Sequence, residues 1–177
     1  MKDNKVFCMA PWVHTYLAPN NKRNICCVGD ADFGDNNRLS DTWNSDKMKH
    51  IRRELIAVNE IVECNRCSPN HINSYRDYWN SNFEDLRTYV INNTKEDGTY
   101  ESNPISIDYR TNVCNFKCKT CYGDYSSAIL KEEKKHKLRT LYELDKLKTS
   151  INKNKETTKI ELDYLIEDGN VIDIYWG

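Results

Sequence analysis

The period of the apolar positions changes along the chain, and each change marks an element. Residues 12–17, WVHTYL, are β-prone, and APNNKRN (18–24) supplies turn chemistry before a second short strand carrying ICCV (25–28). In LSDTWNSDKMKHIRRELIAV the spacing changes: Met48, Ile51, Leu55 and Val58 fall three or four apart, and Ser40, Asp41 and Ser45 precede them as candidate caps. The same helical spacing returns over 71–93 through Tyr75, Tyr78, Trp79, Phe83, Leu86 and Val90. Trp12, Trp43 and Trp79 are the aromatic residues expected in the core.

A polar stretch, TKEDGTYESNP (94–104), reads as a linker. Beyond it, ISIDYRTNV (105–113) alternates like a strand, 124–154 and 157–170 read as helices with Gly169 and Asn170 as stop signals, and VIDIYWG (171–177) is a second short strand. Strand, loop, helix and strand in that order make a βαβ unit, which requires a parallel sheet. The expected fold class is α/β, with an α+β N-terminal module built from a β-hairpin plus helices. The expected boundary lies near residue 100, giving modules over 1–100 and 101–177.

Composition narrows the function. The chain has 177 residues, 38% of them hydrophobic, a mean hydropathy of -0.82 and a net charge of -1, so no global field draws it to nucleic acid or an anionic membrane. MKDNKVFCMAPW lacks the apolar stretch of a signal peptide, and no later run approaches the roughly 20 apolar residues of a membrane span. A reducing cytoplasmic location is therefore expected. There, eight cysteines are more naturally metal ligands than disulfides.

The cysteines form two groups: Cys8, Cys26, Cys27, Cys64 and Cys67 early, and Cys114, Cys118 and Cys121 in VCNFKCKTCYG. A structural zinc site wants four protein ligands, and His136 is poorly spaced to complete the triplet. Three clustered thiolates instead suit a cubane iron–sulfur cluster with one iron left open. The loop follows the C-terminal end of a parallel strand, where α/β sheets and barrels bind their ligands. The first group has enough thiolates for an all-cysteine zinc site or a cluster, with Cys27 read as a small buried residue beside Cys26. His14 reads as a packed strand residue, Arg52, Arg53 and KEEKKHKLR as solvated helix faces, and Ser126 and Ser127 as helix caps.

The CxxxCxxC motif after a first strand resembles the radical S-adenosylmethionine (SAM) superfamily, whose fold is a partial (β/α) barrel. The early segments CMAPWVHTYLAPNN…ICC, LSDTWNSDKMKHIRREL, CNRC and SYRDYWN resemble the SPASM/twitch type of auxiliary module found with such domains. The chain departs from the superfamily pattern at Thr120, where an aromatic residue is usual, and at Asn21, where the module usually has glycine. The resemblance implies a SAM-binding [4Fe–4S] cluster on Cys114, Cys118 and Cys121. It also implies contact between Gly177, where a glycine-rich stretch should begin, and the amino group of SAM. Cys8, Cys26, Cys64 and Cys67 would hold a second, auxiliary [4Fe–4S] cluster or zinc. The implied reaction is reductive cleavage of SAM to a 5′-deoxyadenosyl radical that abstracts hydrogen from a substrate, possible peptide chemistry included. The implied partners are an electron donor such as a flavodoxin or ferredoxin and the missing barrel segment, without which this chain is expected to be inactive. A non-catalytic iron–sulfur or zinc-binding module for electron transfer or assembly is the alternative.

Overall fold

A computed structural model of the chain describes residues 5–31, 33–34, 37–67 and 74–176. In chain order the elements are α1 (Ala10–Val13), β1 (His14–Leu17), β2 (Arg23–Asn24), α2 (Leu39–Thr42), α3 (Asp46–Ile56), a 3-10 segment (Val62–Cys67) and α4 (Ser74–Asn82). A 3-10 turn (Glu84–Leu86), α5 (Arg87–Asn92), β3 (Ser106–Tyr109), α6 (Ser127–Lys135), α7 (Leu141–Asp168) and β4 (Asp173–Trp176) follow. Together they make a mixed α/β fold around one four-stranded sheet in the order β2-β1-β3-β4.

The hairpin and the βαβ unit share this sheet. β1 pairs antiparallel with β2, and it also pairs parallel with β3, which in turn pairs parallel with β4. The hairpin strands are shorter than the apolar pattern suggested. Pro11 starts a helical turn that takes up Trp12 and Val13, and β2 ends before ICCV begins. Asn21 adopts the left-handed conformation (φ 61°) at the hairpin turn, which an asparagine side chain tolerates better than most.

Alternation gives the sheet two unlike faces. The cross-strand neighbours His14 and Ser106, and Tyr16 and Asp108, share one face, whereas Thr15, Leu17, Ile107 and Tyr109 share the other. α7 covers the second face. Its buried residues Leu147, Ile151, Asn154, Thr158, Glu161 and Leu165 recur every three or four positions, the stripe that a helix needs to lie along a sheet. α4 lies over the first face, where the Trp79 ring sits 4.1 Å from that of His14. A single apolar cluster runs from Phe7 and Trp12 through Ile51 and Leu55 to Ile107, Tyr109 and Leu165.

The helices beyond β3 divide differently from the sequence pattern. The 124–154 segment breaks after Lys135, with Lys137 left-handed (φ 53°), and a Thr140–Glu143 capping box starts α7 afresh. α7 then continues through the expected gap near 155 and ends at left-handed Gly169 (φ 72°), a C-terminal glycine in its usual role. Over 71–93 the helix breaks at Phe83 into α4 and α5. Val58 lies beyond the end of α3, exposed and left-handed.

The polar 94–104 segment is a strap rather than a free tether. Arg52, expected on a solvated face, is fully buried (0% exposed). Its Nε donates to the Pro11 carbonyl (3.0 Å) and its Nη1 to Asn44 Oδ1 (2.8 Å) and the Gly98 carbonyl (3.4 Å). Its guanidinium lies 4.7 Å from the Trp43 ring centre, so π-electrons and carbonyl dipoles take the place of a carboxylate. Asn44 clasps both the N–H and the carbonyl of Tyr100, and Trp43 Nε1 donates to the Ser102 carbonyl. Gly98 is left-handed (φ 90°), and a Cβ there would meet the Lys49 carbonyl at 2.2 Å, so the strap approaches α3 only because this residue has no side chain.

A buried ion pair joins the hairpin to α7. Arg23 and Glu161 side chains are 1% and 9% exposed, with Nη2 and Oε2 2.6 Å apart. Glu161 also accepts from the Leu39 N–H (2.6 Å) and the Tyr109 hydroxyl, while Arg23 donates to Thr15 Oγ1 and the Asn37 carbonyl. Nearby, Asn154 Nδ2 donates to both the Ala18 and the Arg110 carbonyls. Removing one member of a buried pair strands the other charge, so Glu161→Ala should lower unfolding free energy in denaturant by about 3–5 kcal/mol. Replacing the pair together, Arg23→Met with Glu161→Leu, should recover most of that loss.

Candidate metal centres

The early cysteines come from three elements that converge beside the hairpin. Cys8 precedes α1, Cys26 follows β2, and Cys64 and Cys67 occupy the 3-10 segment. Cys8, Cys26 and Cys67 are buried and Cys64 is half-buried. Burial pushes the Cys26 and Cys64 thiols up to about 12 and about 11, and Cys8 higher still. Cys8 interacts electrostatically with Cys26 and Cys64, and Cys64 with Cys67, so the four form one connected set. Backbone N–H groups near the sulfurs, that of Ala10 by Cys8 and those of Val28 and Gly29 by Cys26, pull the thiols in the opposite direction, and the Gly29 N–H donates to the Cys26 carbonyl (3.2 Å). Such donors stabilise metal-bound thiolates. The donor chemistry of this mostly buried all-sulfur set suits a thiophilic metal or an iron–sulfur cluster, although the thiols do not close on one point.

The Cys26–Cys27 pair splits between two environments. Cys26 joins the buried set, whereas Cys27, expected to be buried, is exposed and faces Tyr75, Asp108 and Arg110. Cys26, expected as a ligand, is thus buried, and Cys27, expected as its buried neighbour, lies at the surface.

Cys114, Cys118 and Cys121 lie in the loop between β3 and α6, beyond the C-terminal end of β3. Cys118 is exposed and the other two are half-buried. Ser126 caps α6 by accepting from the Ile129 N–H, and its hydroxyl donates to the carbonyls of Phe116 (2.6 Å) and Cys114 (3.2 Å). Ser127 donates to the Cys114 carbonyl through both its N–H (3.0 Å) and its hydroxyl (3.1 Å). The Cys121 N–H closes on the Cys118 carbonyl at 3.0 Å, and Asn112 Nδ2 holds the Gly123 carbonyl at 2.8 Å. The loop's carbonyls are thereby turned toward the helix start, while its three sulfurs remain at or near the surface.

Among the described residues, no three His, Cys, Asp or Glu side chains converge tightly enough to enclose a single metal ion. Gly177, expected to contact SAM, lies outside the described residues. His14 is packed as expected, with Nδ1 3.0 Å from Ser106 Oγ. The polar face between the two cysteine groups carries residues that the motif reading missed. Asp108, 6% exposed, holds Arg110 through Oδ1–Nε at 2.5 Å and Oδ2–Nη2 at 2.9 Å. Tyr16 and Tyr125 hydroxyls meet at 3.1 Å. The signal was present in S-x-D-x-R along 106–110, polar residues on one face of a strand that packing buries. A cleft of about 670 Å³ lies elsewhere, between α7 and residues 37–44, and none of the cysteines lines it. Volume and chemistry thus disagree about the site, and the chemistry is the better guide, because the cleft's Glu161 and Asn44 are already engaged in the fold.

Comparison with protein-family models, with curated proteins and with solved structures returns no match. Among the described residues, no helix is long and apolar enough to cross a membrane.

Burial lowers the His14 imidazole from its ordinary 6.5 to about 3, aided by the nearby Arg110 charge. The unfolded chain therefore binds the proton first, and stability contributed by neutral His14 is complete above about pH 6.5 and lost as pH falls toward 3. Unfolding free energies from denaturant titrations between pH 7.5 and pH 4 should fall more steeply for the native chain than for His14→Gln, by up to about 1.4 kcal/mol per pH unit.

Proposed function

We propose that the chain is part of a radical SAM iron–sulfur protein, with residues 1–100 as a twitch-like auxiliary module and 101–177 as the opening βαβ of a partial (β/α) barrel. The observation that carries this reading is the position of the CxxxCxxC triplet. Its three thiols lie beyond the C-terminal end of β3, a parallel strand followed by α6, α7 and the parallel strand β4. Ligands of α/β sheets bind at this end of the strands. Bound on Cys114, Cys118 and Cys121 with one iron open, a [4Fe–4S] cluster would supply the electron for reductive cleavage of SAM to a 5′-deoxyadenosyl radical.

The chain's own residues have separable tasks in this reading. Ser126 and Ser127 fix the loop by satisfying the carbonyls of Cys114 and Phe116. Asn112 and Glu133 hold Gly123 from its carbonyl and N–H sides. Cys8, Cys26, Cys64 and Cys67 would supply the thiolates for the auxiliary group. The polar face with Asp108, Arg110, Tyr16 and Tyr125 lies between the two groups and is suited to orient a polar substrate. A non-catalytic metal-binding module is the second reading. It is favoured by the early four-thiol set, which has enough ligands to saturate a structural zinc ion.

Anaerobic reconstitution with iron and sulfide, followed by electron paramagnetic resonance of the reduced chain with and without SAM, separates the readings. The expected result is a reduced [4Fe–4S] signal that shifts with SAM and whose SAM-sensitive part disappears in Cys118→Ala. Zinc uptake without iron or sulfide, or a signal indifferent to SAM, would overturn the radical SAM reading.

A further inference from the structure

The cleft of about 670 Å³ between α7 and residues 37–44 has a chemical order along its helical wall. Glu161 and Asn44 are taken up by the fold, but the helix face beside them is not. Lys153, Glu156, Ile160 and Tyr164 follow one another at three- and four-residue spacing, flanking the buried stripe that covers the sheet. Over about 16 Å of helix they run cation, carboxylate, aliphatic, aromatic. All four side chains are exposed. Lys153 and Glu156 make no ion pair among the described residues.

The two ends of the cleft differ. Asn154 Nδ2 donates to the Ala18 carbonyl (2.8 Å), and the Asn21 N–H closes on the same carbonyl (2.9 Å). Lys153 therefore lies beside the hairpin turn that places Asn21 at the cleft. Asn21 Oδ1 is buried there with no donor among the described residues, a cost that a bound hydroxyl would relieve. Arg38 lines the facing wall, exposed and without an ion pair among the described residues. At the other end Asn103 Nδ2 donates to the Tyr164 hydroxyl (3.2 Å), and Trp43, Leu39 and Ile160 complete an apolar section.

A ligand matching this order carries an anion, then hydroxyls, then a flat ring. We propose that the cleft binds a nucleoside monophosphate, with the phosphate at Lys153 and Arg38, the ribose hydroxyls at Glu156 and Asn21 Oδ1, and the base against Tyr164 and Ile160. Cations hold phosphate through charge-assisted hydrogen bonds, a carboxylate accepts from ribose hydroxyls, and an aromatic face stacks on any base. The volume lies within the range of roughly 300–1,000 Å³ usual for small-ligand pockets. None of the cysteines lines this cleft, so the assignment goes beyond the radical SAM reading and stands without it.

The test is calorimetric titration of the full chain with adenosine monophosphate, adenosine and inorganic phosphate as separate probes. The monophosphate should bind saturably and more tightly than either of its fragments. Lys153→Glu should weaken the monophosphate about tenfold or more while leaving adenosine unchanged. Tyr164→Ala should weaken both the monophosphate and adenosine by at least about fivefold, and Ile160→Ser, at an equally exposed position, should act in the same direction. Lys155→Glu, the same charge reversal on α7 outside the cleft, should leave all three probes unchanged. Circular dichroism and the thermal midpoint of each ligand-free variant show that the fold is retained. No saturable binding of the monophosphate, inorganic phosphate bound as tightly as the monophosphate, or monophosphate binding indifferent to the three cleft substitutions would overturn the proposal.

Discussion

A fully buried arginine and a nearly buried glutamate hold the fold to one arrangement. Arg23 sits on β2, at the outer end of the sheet, and Glu161 sits three-quarters of the way along α7, yet their charges meet under the Tyr109 hydroxyl. The cost of burying each charge is offset only if the other is in place and the remaining donors are satisfied. Thr15, Asn37, Leu39 and Tyr109 supply those remaining contacts. The hairpin, the sheet centre, the start of α2 and the covering helix are therefore positioned by a single set of charges. Because β1 also pairs with β3, Cys26 and the later triplet both follow strands of one sheet.

The Trp-Asn-Ser…Arg pattern that resembles an auxiliary module is explained here by packing. Ser45 caps α3, Asn44 clasps Tyr100, and Trp43 lies against the guanidinium of Arg52, which reaches the carbonyls of Pro11 and Gly98. These residues tie α3 to the strap that enters β3 and to the turn that follows Cys8. Their chemistry is structural, but its effect is local to the thiols. Pro11 lies three residues from Cys8, so the Arg52 contact fixes the approach to one member of the buried set.

Strands and helix caps were legible in the sequence because their causes are local. Alternation placed β3, Ser45 and Ser126 announced their helices, and Gly169 marked the end of α7. Positions governed by distant partners were not. Arg52 looked solvated because its aromatic and carbonyl partners come from residues 11, 43 and 98. Lys137 broke a helix that its charged neighbours favoured, and the expected gap near 155 closed because Asn154 and Thr158 face the sheet as part of a continuous stripe. The position of the triplet after a strand was legible from the pattern of residues 105–121. The sides taken by Cys26 and Cys27 were not, since adjacent side chains diverge only once the backbone path after β2 is set.

Asn154 has a further consequence. One side-chain amide holds the carbonyls of Ala18 and Arg110, the residues just past β1 and β3. Strand ends bonded to the same nitrogen must stay level with each other. Sliding either strand by one residue would turn its alternating side chains over, sending Asp108 beneath α7 and Ile107 toward Cys27. The amide thus acts as a ratchet stop. It makes the separation of a chemical face from a packing face a matter of discrete choice, insensitive to small strains transmitted along the helix.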